Sequence, residues 1–196
     1  MAPEDPSTRK KILDCVVKLL FTVTREEITT RRIAESAGVN IAAVNYHFRS
    51  KDELIDQAVE AATSESFGKG MAILLAQGRE PKARLRDYIT GYAYGLMKFP
   101  GLTRTAFLTL FLKEEGDTIY GRYMQEMLQK VGQVIAEVRG PRAVEADNKS
   151  VALMVLSCAI FPFVVSNTVR AAGGIDYADD TARSLYIETV LAMLVG

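Results

Sequence analysis

Apolar residues recur along this chain with the three-to-four-residue period of helices, and strand-like alternation bounded by hairpin turns is absent. Ile12, Val16, Leu19, Leu20 and Val23 form the first stripe, behind a candidate N-cap at Ser7 or Thr8. Leu85, Tyr88, Ile89, Tyr92 and Leu96 form another, and a longer one runs from Tyr120 through Met124, Met127, Val131 and Ile135 to Val138. Turn chemistry separates them at Glu80-Pro81, Pro100-Gly101, Gly116-Asp117, Gly140-Pro141 and Gly173-Gly174. The pattern predicts an all-α fold of about nine helices, over 8–23, 30–37, 41–48, 51–77, 81–98, 102–113, 118–138, 145–172 and 178–195. Residues 151–165 are almost wholly apolar, yet Pro162 interrupts a run already shorter than the roughly 20 residues that span a bilayer. That stretch reads as a fully buried bundle helix.

The helices after Lys51 are longer than the three before it, which divides the chain near residue 50 into an N-terminal domain, 1–50, and a larger helical domain, 51–196. Within the first, Thr29 to Phe48 reads TTRRIAESAGVNIAAVNYHF. Thr30 is placed to cap a short helix that turns Ile33, Ala34 and Ala37 inward, and Gly38 supplies a turn residue able to adopt positive φ. Val39 plugs the corner, and Asn40 caps a second short helix with Val44 and Phe48 inward at i and i+4. Two short helices about a glycine turn make a helix-turn-helix. Ser50-Lys51-Asp52-Glu53 matches a capping box, so another helix begins immediately after.

The second short helix leaves Ile41, Ala42, Ala43, Asn45, Tyr46 and His47 facing outward or sideways. Small residues at Ala42 and Ala43 slim a helix that must enter a major groove about 12 Å wide. Asn45 has the donor and acceptor to bind adenine bidentately, Ile41 or Ala42 suits a thymine methyl, and Tyr46 and His47 suit phosphate. Lys51 and the amides beside it offer a further phosphate contact.

Formal net charge is zero, but its distribution is uneven. Between Ser7 and Lys51 nine basic residues face four acidic ones, whereas from Asp52 onward there are 15 basic and 18 acidic. Excess positive charge therefore sits in the same quarter as the helix-turn-helix. The first ten residues are polar and proline-containing, unlike a secretory signal, and the two cysteines, Cys15 and Cys158, lie far apart in apolar patterns. Buried thiols and a cytoplasmic location, with no membrane, are expected. Catalysis has little to work with: His47 is the only histidine, and it lies on the reading helix. No phosphate-cradling GxxxxGK[ST] run occurs, and neither a metal nor a cofactor is implied.

The run from Thr30 to Leu54, TRRIAESAGVNIAAVNYHFRSKDEL, resembles the DNA-binding signature of the TetR family of bacterial regulators, over about 45 residues when the first helix is counted. The resemblance implies that Thr29, Thr30, Arg31 and Lys51 sit near the phosphate backbone. It assigns Asn40, Ile41, Ala43, Asn45, Tyr46 and His47 to a recognition helix. Family members often have tyrosine where Asn45 stands and glycine near Thr24. Further on, the layout of six more helices resembles the family's ligand-binding and dimerisation domain.

A single short helix-turn-helix reads few base pairs, so a homodimer on a palindromic operator is expected. Leu153, Leu156, Phe161, Val165, Leu185, Val190 and Met193, in the last two predicted helices, are the candidate interface. Tyr88, Tyr92, Met97, Phe107, Phe111, Met124, Met127 and Phe163 have the aromatic and methionine character of an adaptable pocket, with Asn167, Arg170 or Tyr92 as polar contacts for an apolar or amphipathic effector. The expected function is a ligand-responsive DNA-binding regulator, a repressor released by its effector. A helical scaffold or a ligand-independent DNA-binding protein is the alternative.

Overall fold

The computed structural model describes residues 6–112, 119–142 and 145–195. Among them are ten α-helices: α1 (Pro6–Leu20), α2 (Thr30–Ala37), α3 (Ile41–His47), α4 (Lys51–Leu74), α5 (Pro81–Lys98), α6 (Pro100–Leu112), α7 (Ile119–Arg139), α8 (Glu145–Val164), α9 (Ser166–Ala171) and α10 (Asp180–Leu194). A 3-10 turn at Gly140–Arg142 joins α7 towards α8. No strand is present among the described residues.

Most predicted boundaries stand within a few residues, and the exceptions have local causes. α1 starts at Pro6, a residue suited to the first helical position because its missing N–H would be unpaired there, so Ser7 and Thr8 lie inside the first turn and are not caps. The same helix stops at Leu20 instead of Val23, where the amides of Thr22 and Val23 both turn back to the Leu19 carbonyl at 3.0 Å. The predicted helix over 145–172 is two helices, α8 and α9, parted at Val165. Pro162 lies inside α8, three residues before that break: it has no N–H for the Cys158 carbonyl one turn earlier, and its ring crowds that turn. Two phenols relieve the damage. Tyr186 donates to the Cys158 carbonyl at 3.1 Å, and Tyr177 donates to the Ala159 carbonyl at 2.7 Å.

The described helices fall into two compact units. One holds α1, α2, α3, α4 as far as Ser66, and α6; the other holds α4 from Phe67, together with α5 and α7 to α10. The division thus runs through the middle of α4 and not near residue 50, and α6 groups with the N-terminal helices.

In the first unit, Ile12, Val16 and Leu20 repeat every four residues and are completely buried, joined by Ile28, Ile33, Val44, Phe48, Leu54 and Ile55. Each such side chain contributes about 1.5–3 kcal/mol by leaving water. The start of α6 packs on the end of α1, where the Phe21 and Phe99 rings lie 4.2 Å apart. Gly101 approaches so closely that a Cβ there would stand 2.4 Å from the Leu20 carbonyl oxygen.

In the second unit, Leu85, Ile89, Val131, Val134, Ile135, Ala152, Val155, Leu156, Ile187 and Leu191 form a core between α5, α7, α8 and α10. Buried Arg84 donates to the Leu74 carbonyl at the end of α4 at 3.0 Å and pairs with Glu137. Arg183, equally buried, donates to the Tyr177 carbonyl at 3.0 Å and pairs with Asp180, holding the loop before α10.

α8 departs from the fully buried helix expected of its sequence. Ala152, Val155, Leu156 and Ala159 face the core, but Leu153, Met154, Phe161 and Val164 are each more than half exposed. By length and composition alone, Asp147–Val164 could cross a membrane; of its apolar residues, Ala152, Val155, Leu156 and Ala159 are buried in the core. Cys15 is buried, Cys158 half-buried, and both are free thiols.

Candidate nucleic-acid interface

The helix-turn-helix is assembled by its caps. Thr29, one residue before the expected cap Thr30, is the N-cap of α2: its hydroxyl accepts from the Arg32 amide at 3.1 Å. At the other end Gly38 sits at φ 62, ψ 41, with its amide on the Glu35 carbonyl at 3.2 Å and the Val39 amide on the Ala34 carbonyl at 3.0 Å. This crossed pair is the Schellman closure, and its left-handed residue is glycine because a Cβ is disfavoured there. Asn40 then caps α3, its side-chain oxygen accepting from the Ala43 amide at 2.7 Å. Ser50 caps α4 by accepting from the Glu53 amide at 3.1 Å. Glu53 itself accepts from the Gln57 amide nitrogen at 3.1 Å.

Ile33, Ala34 and Ala37 of α2, and Val44 and Phe48 at the end of α3, are buried as their spacing predicts. Burial of Val44 and Phe48 fixes the rotation of α3, and the opposite face is what remains for solvent. Ile41 is 46% exposed and Tyr46 59%, with Ala42 and Asn45 exposed beside them. Ala43 and His47 are half-buried at the edges of this face, and the Tyr46 and His47 rings meet edge-on at 5.2 Å. The Asn45 side chain makes no hydrogen bond among the described residues, so its amide is fully available. Asn40 and Thr29 are exposed but spend their side-chain oxygens on caps.

Around this neutral face lie cations. Thr30 is half-buried, Arg31 is exposed and pairs with Glu35 one turn on at 2.9 Å, and Lys51 is half-buried in the first turn of α4. Arg32 and Arg49 are also exposed and have no ion pair among the described residues; only the regional charge excess signalled them in the sequence. An open groove of about 480 Å³ between α1 and α2, lined by Lys10, Lys11 and Lys18 with Asp14 and Ser36, extends the positive surface.

Two arginines missed by the sequence reading fix α4 to the helix-turn-helix. Arg25, in the loop after α1, reaches Asp56 at 2.5 Å and Asp52 at 3.2 Å. Arg9 donates to Gln57 at 2.6 Å and lies 5.1 Å from the centre of the Phe48 ring. No periodicity could flag these pairs, because each joins residues more than 25 positions apart.

The remaining candidates divide between places. Tyr88 and Met127 are buried in the second unit, with Tyr92, Met97, Met124 and Phe163 partly buried against the same core. The Tyr88 and Tyr92 rings are stacked, 6.4 Å apart at 10°. Phe107 belongs to the first unit, on α6, and so is not part of that cluster; the Phe111 side chain lies outside the described residues. Asn167 and Arg170 are exposed on α9. Of the apolar interface candidates, Leu153, Phe161, Leu185 and Met193 are 56%, 63%, 69% and 79% exposed, and Val165 and Val190 are half-buried. Leu156, in contrast, is consumed in the chain's own core.

Comparison with known proteins agrees with this geometry. The sequence model of the bacterial regulatory proteins, tetR family, matches residues 13–58, the span from α1 into α4. The nucleoid occlusion factor SlmA of Marinobacter nauticus is 35% identical over 87 residues, 44% of each chain. SlmA of Escherichia coli O1:K1 is 28% identical over 169 residues, 83% of each. An uncharacterized HTH-type transcriptional regulator in the dhlA 5' region of Xanthobacter autotrophicus is 24% identical over 187 residues, covering 91% of this chain and 88% of that one. Among solved structures, a TetR transcriptional regulator from Legionella pneumophila superposes with a TM-score of 0.68 at 14% identity, over 99% of this chain and 100% of that one. With a helix-turn-helix matched in sequence over residues 13–58 and an all-helical fold matched along its length, the chain carries the DNA-binding domain of a TetR-family transcriptional regulator.

Proposed function

We propose that the protein is a repressor that binds a palindromic operator as a homodimer and is released by a small apolar or amphipathic effector. The observation that carries the reading is the outer face of α3, where Ile41, Ala42, Asn45 and Tyr46 stand exposed while Val44 and Phe48 lock the helix from behind. In this reading Asn45 binds a base edge, Ile41 and Ala42 contact thymine methyls, and Tyr46 and His47 meet phosphates. Thr29, Thr30, Arg31 and Lys51 hold the flanking backbone, aided by Arg32 and Arg49. Thr29 and Asn40 contribute mainly by capping, which presents amide-rich helix starts to the DNA.

Dimerisation is supported by Leu153, Met154, Phe161 and Val164 on α8 and by Leu185 and Met193 on α10, large apolar side chains left in water by the single chain. Two copies pairing through them would place two reading heads on half-sites about 34–36 Å apart, or a multiple of that. Effector binding is supported by the aromatic and methionine cluster around Tyr88, Tyr92, Met124, Met127 and Phe163. An effector that shifts the population towards a weakly binding state would lower operator affinity by about 5–150-fold.

The test is titration of the purified protein into labelled DNA from upstream of its own gene, with unrelated competitor, at several salt concentrations. The expected result is saturation with dimer stoichiometry that survives competitor, and an Asn45→Ala variant weaker by about 5–150-fold on that DNA while unchanged on competitor. Equal loss on both, or no loss, would refute base reading by Asn45. A second reading, that the protein marks many chromosomal sites in the manner of a nucleoid occlusion factor, is favoured by the similarity to the Escherichia coli SlmA over 83% of both chains. Chromosome-wide mapping of bound sites separates the two: a few promoter-proximal sites favour the repressor, many dispersed ones the second reading.

A further inference from the structure

Buried phenols usually find a hydrogen-bond partner, because a hydroxyl left unpaired away from water is costly. In the second unit Tyr177 and Tyr186 obey this rule, donating to the Ala159 and Cys158 carbonyls. Tyr88 and Tyr92 on α5 do not. Tyr88 is 4% exposed and Tyr92 half-buried, and neither hydroxyl has a hydrogen-bond partner among the described residues.

Both rings are held in place. They stack 6.4 Å apart at 10°, and an edge of the Tyr88 ring lies 2.9 Å from where a Cβ of Gly70 would stand. Gly95 follows on the same stripe of α5, one turn beyond Tyr92. It is half-buried, yet a Cβ there would meet nothing within 4 Å, so open space adjoins the stacked pair. Met97, Met124 and Phe163 are partly buried against the same core, and methionine re-packs readily around a guest.

The rest of the polar inventory decides what kind of guest fits. Arg84, Asn148 and Arg183 are the buried polar and charged side chains of this unit among the described residues. Arg84 is engaged with the Leu74 carbonyl and Glu137, Arg183 with the Tyr177 carbonyl and Asp180, and Asn148 with Arg139. The Nε of each buried arginine lacks a partner, but it is closed off from solvent. What the core cluster itself leaves free is a pair of neutral donors, and burial keeps both phenols protonated well beyond the ordinary tyrosine range. An ionised guest would find no free counter-charge there, and an unpaired buried charge is strongly disfavoured.

We propose that Tyr88 and Tyr92 form a two-donor subsite that selects an uncharged, apolar molecule carrying a hydrogen-bond acceptor, such as a ketone, ester or ether, and rejects carboxylates and amines of the same size. The subsite rests on the effector reading above and narrows it to neutral acceptors. Tyr177, whose hydroxyl is spent on the Ala159 carbonyl, takes no part.

Four probes of similar size test this on the full chain: acetophenone, ethylbenzene, benzoate and benzylammonium, compared by equilibrium dialysis at neutral pH. Acetophenone is expected to bind about 3–10-fold more tightly than ethylbenzene, the range of one net hydrogen bond. It should bind at least about 100-fold more tightly than either ion. Tyr88→Phe and Tyr92→Phe keep the ring and lose the donor, so together they should erase the ketone's advantage, whereas Tyr177→Phe should leave it intact. Comparing ketone with hydrocarbon inside each variant cancels any general loosening of the fold. With tyrosines carbon-13 labelled at Cζ, acetophenone should shift the signals that vanish in the Tyr88 and Tyr92 variants. Equal binding of ketone and hydrocarbon, an ion bound as tightly as the ketone, an advantage that survives the double variant, or no binding of acetophenone would each overturn the proposal. A chain that takes acetophenone through these phenols but fails the upstream-DNA titration keeps the subsite and loses the repressor reading; one that passes the titration and takes no probe loses the subsite alone.

Discussion

Replacing Gly101 by alanine tests the docking of α6 on α1. The new methyl would stand 2.4 Å from the Leu20 carbonyl oxygen and 2.8 Å from that of Val23, where ordinary contact begins at 3.4 Å. Both obstacles are backbone atoms at the end of a helix whose inner face, Ile12, Val16 and Leu20, is completely buried, so no side-chain rotation can relieve them. The start of α6 would have to retreat by about 1 Å, loosening the Phe21–Phe99 contact and the burial of Leu102. Overpacking of this kind costs about 2–3 kcal/mol. For a chain of this size that corresponds to a fall in melting temperature of about 5–10 °C. Urea unfolding followed by far-UV circular dichroism, at one fixed protein concentration, measures it. Gly91→Ala in α5 is the control: a Cβ there meets nothing within 4 Å, and the better helix former should raise stability by about 0.5–1 kcal/mol. If Gly101→Ala were as stable as the parent within about 0.5 kcal/mol, or moved in the same direction as Gly91→Ala, the close approach of α6 to α1 would be wrong.

The proline in α8 supplies a second prediction. Tyr186→Phe removes the 3.1 Å donor to the Cys158 carbonyl, the one that Pro162 leaves without its helical partner, and should cost about 1–2 kcal/mol. In a Pro162→Ala background the restored amide can serve that carbonyl, so the same change should cost less; an undiminished cost would show that the phenol is not compensating for the proline. A third concerns alkaline pH. Burial holds the phenols of Tyr88 and Tyr177 well above the ordinary tyrosine range. Because a raised phenol pKa favours the neutral form, the stability is fully present below about pH 10 and is lost as pH rises beyond it. Ultraviolet titration near 295 nm should therefore leave at least these two of the eight tyrosines silent until the chain unfolds, and eight tyrosines titrating together near pH 10 would contradict their burial.

The helix-turn-helix was legible because its determinants are local. Thr29 or Thr30, Gly38, Asn40 and Ser50 each act within four residues of themselves, and the stripe Ile33, Ala34, Ala37, Val44, Phe48 needs only helical period to be read. Even the slip from Thr30 to the true cap Thr29 is a single-residue ambiguity between adjacent threonines. What escaped the sequence is what depends on residues brought together from afar. Arg25 is an ordinary loop arginine until Asp52 and Asp56 stand opposite it. Gly101 is an ordinary turn glycine until the end of α1 approaches. α8 illustrates a different limit: its apolar content was plain, but composition does not say which apolar residues the chain itself covers. Leu156 and Leu153 are indistinguishable by type and three positions apart, yet one is buried and the other is more than half exposed.

These placements also bear on where rigidity is concentrated. In the proposed reading, the outer face of α3 carries no charge at Ile41, Ala42, Asn45 or Tyr46, so base contacts there would depend on shape and hydrogen-bond direction, which lose value quickly if the helix wavers. The first unit answers that need with four side-chain caps or capping turns in 22 residues and two arginines gripping the next helix. Charge, which tolerates displacement, is left to the rim at Arg31, Arg32, Arg49 and Lys51.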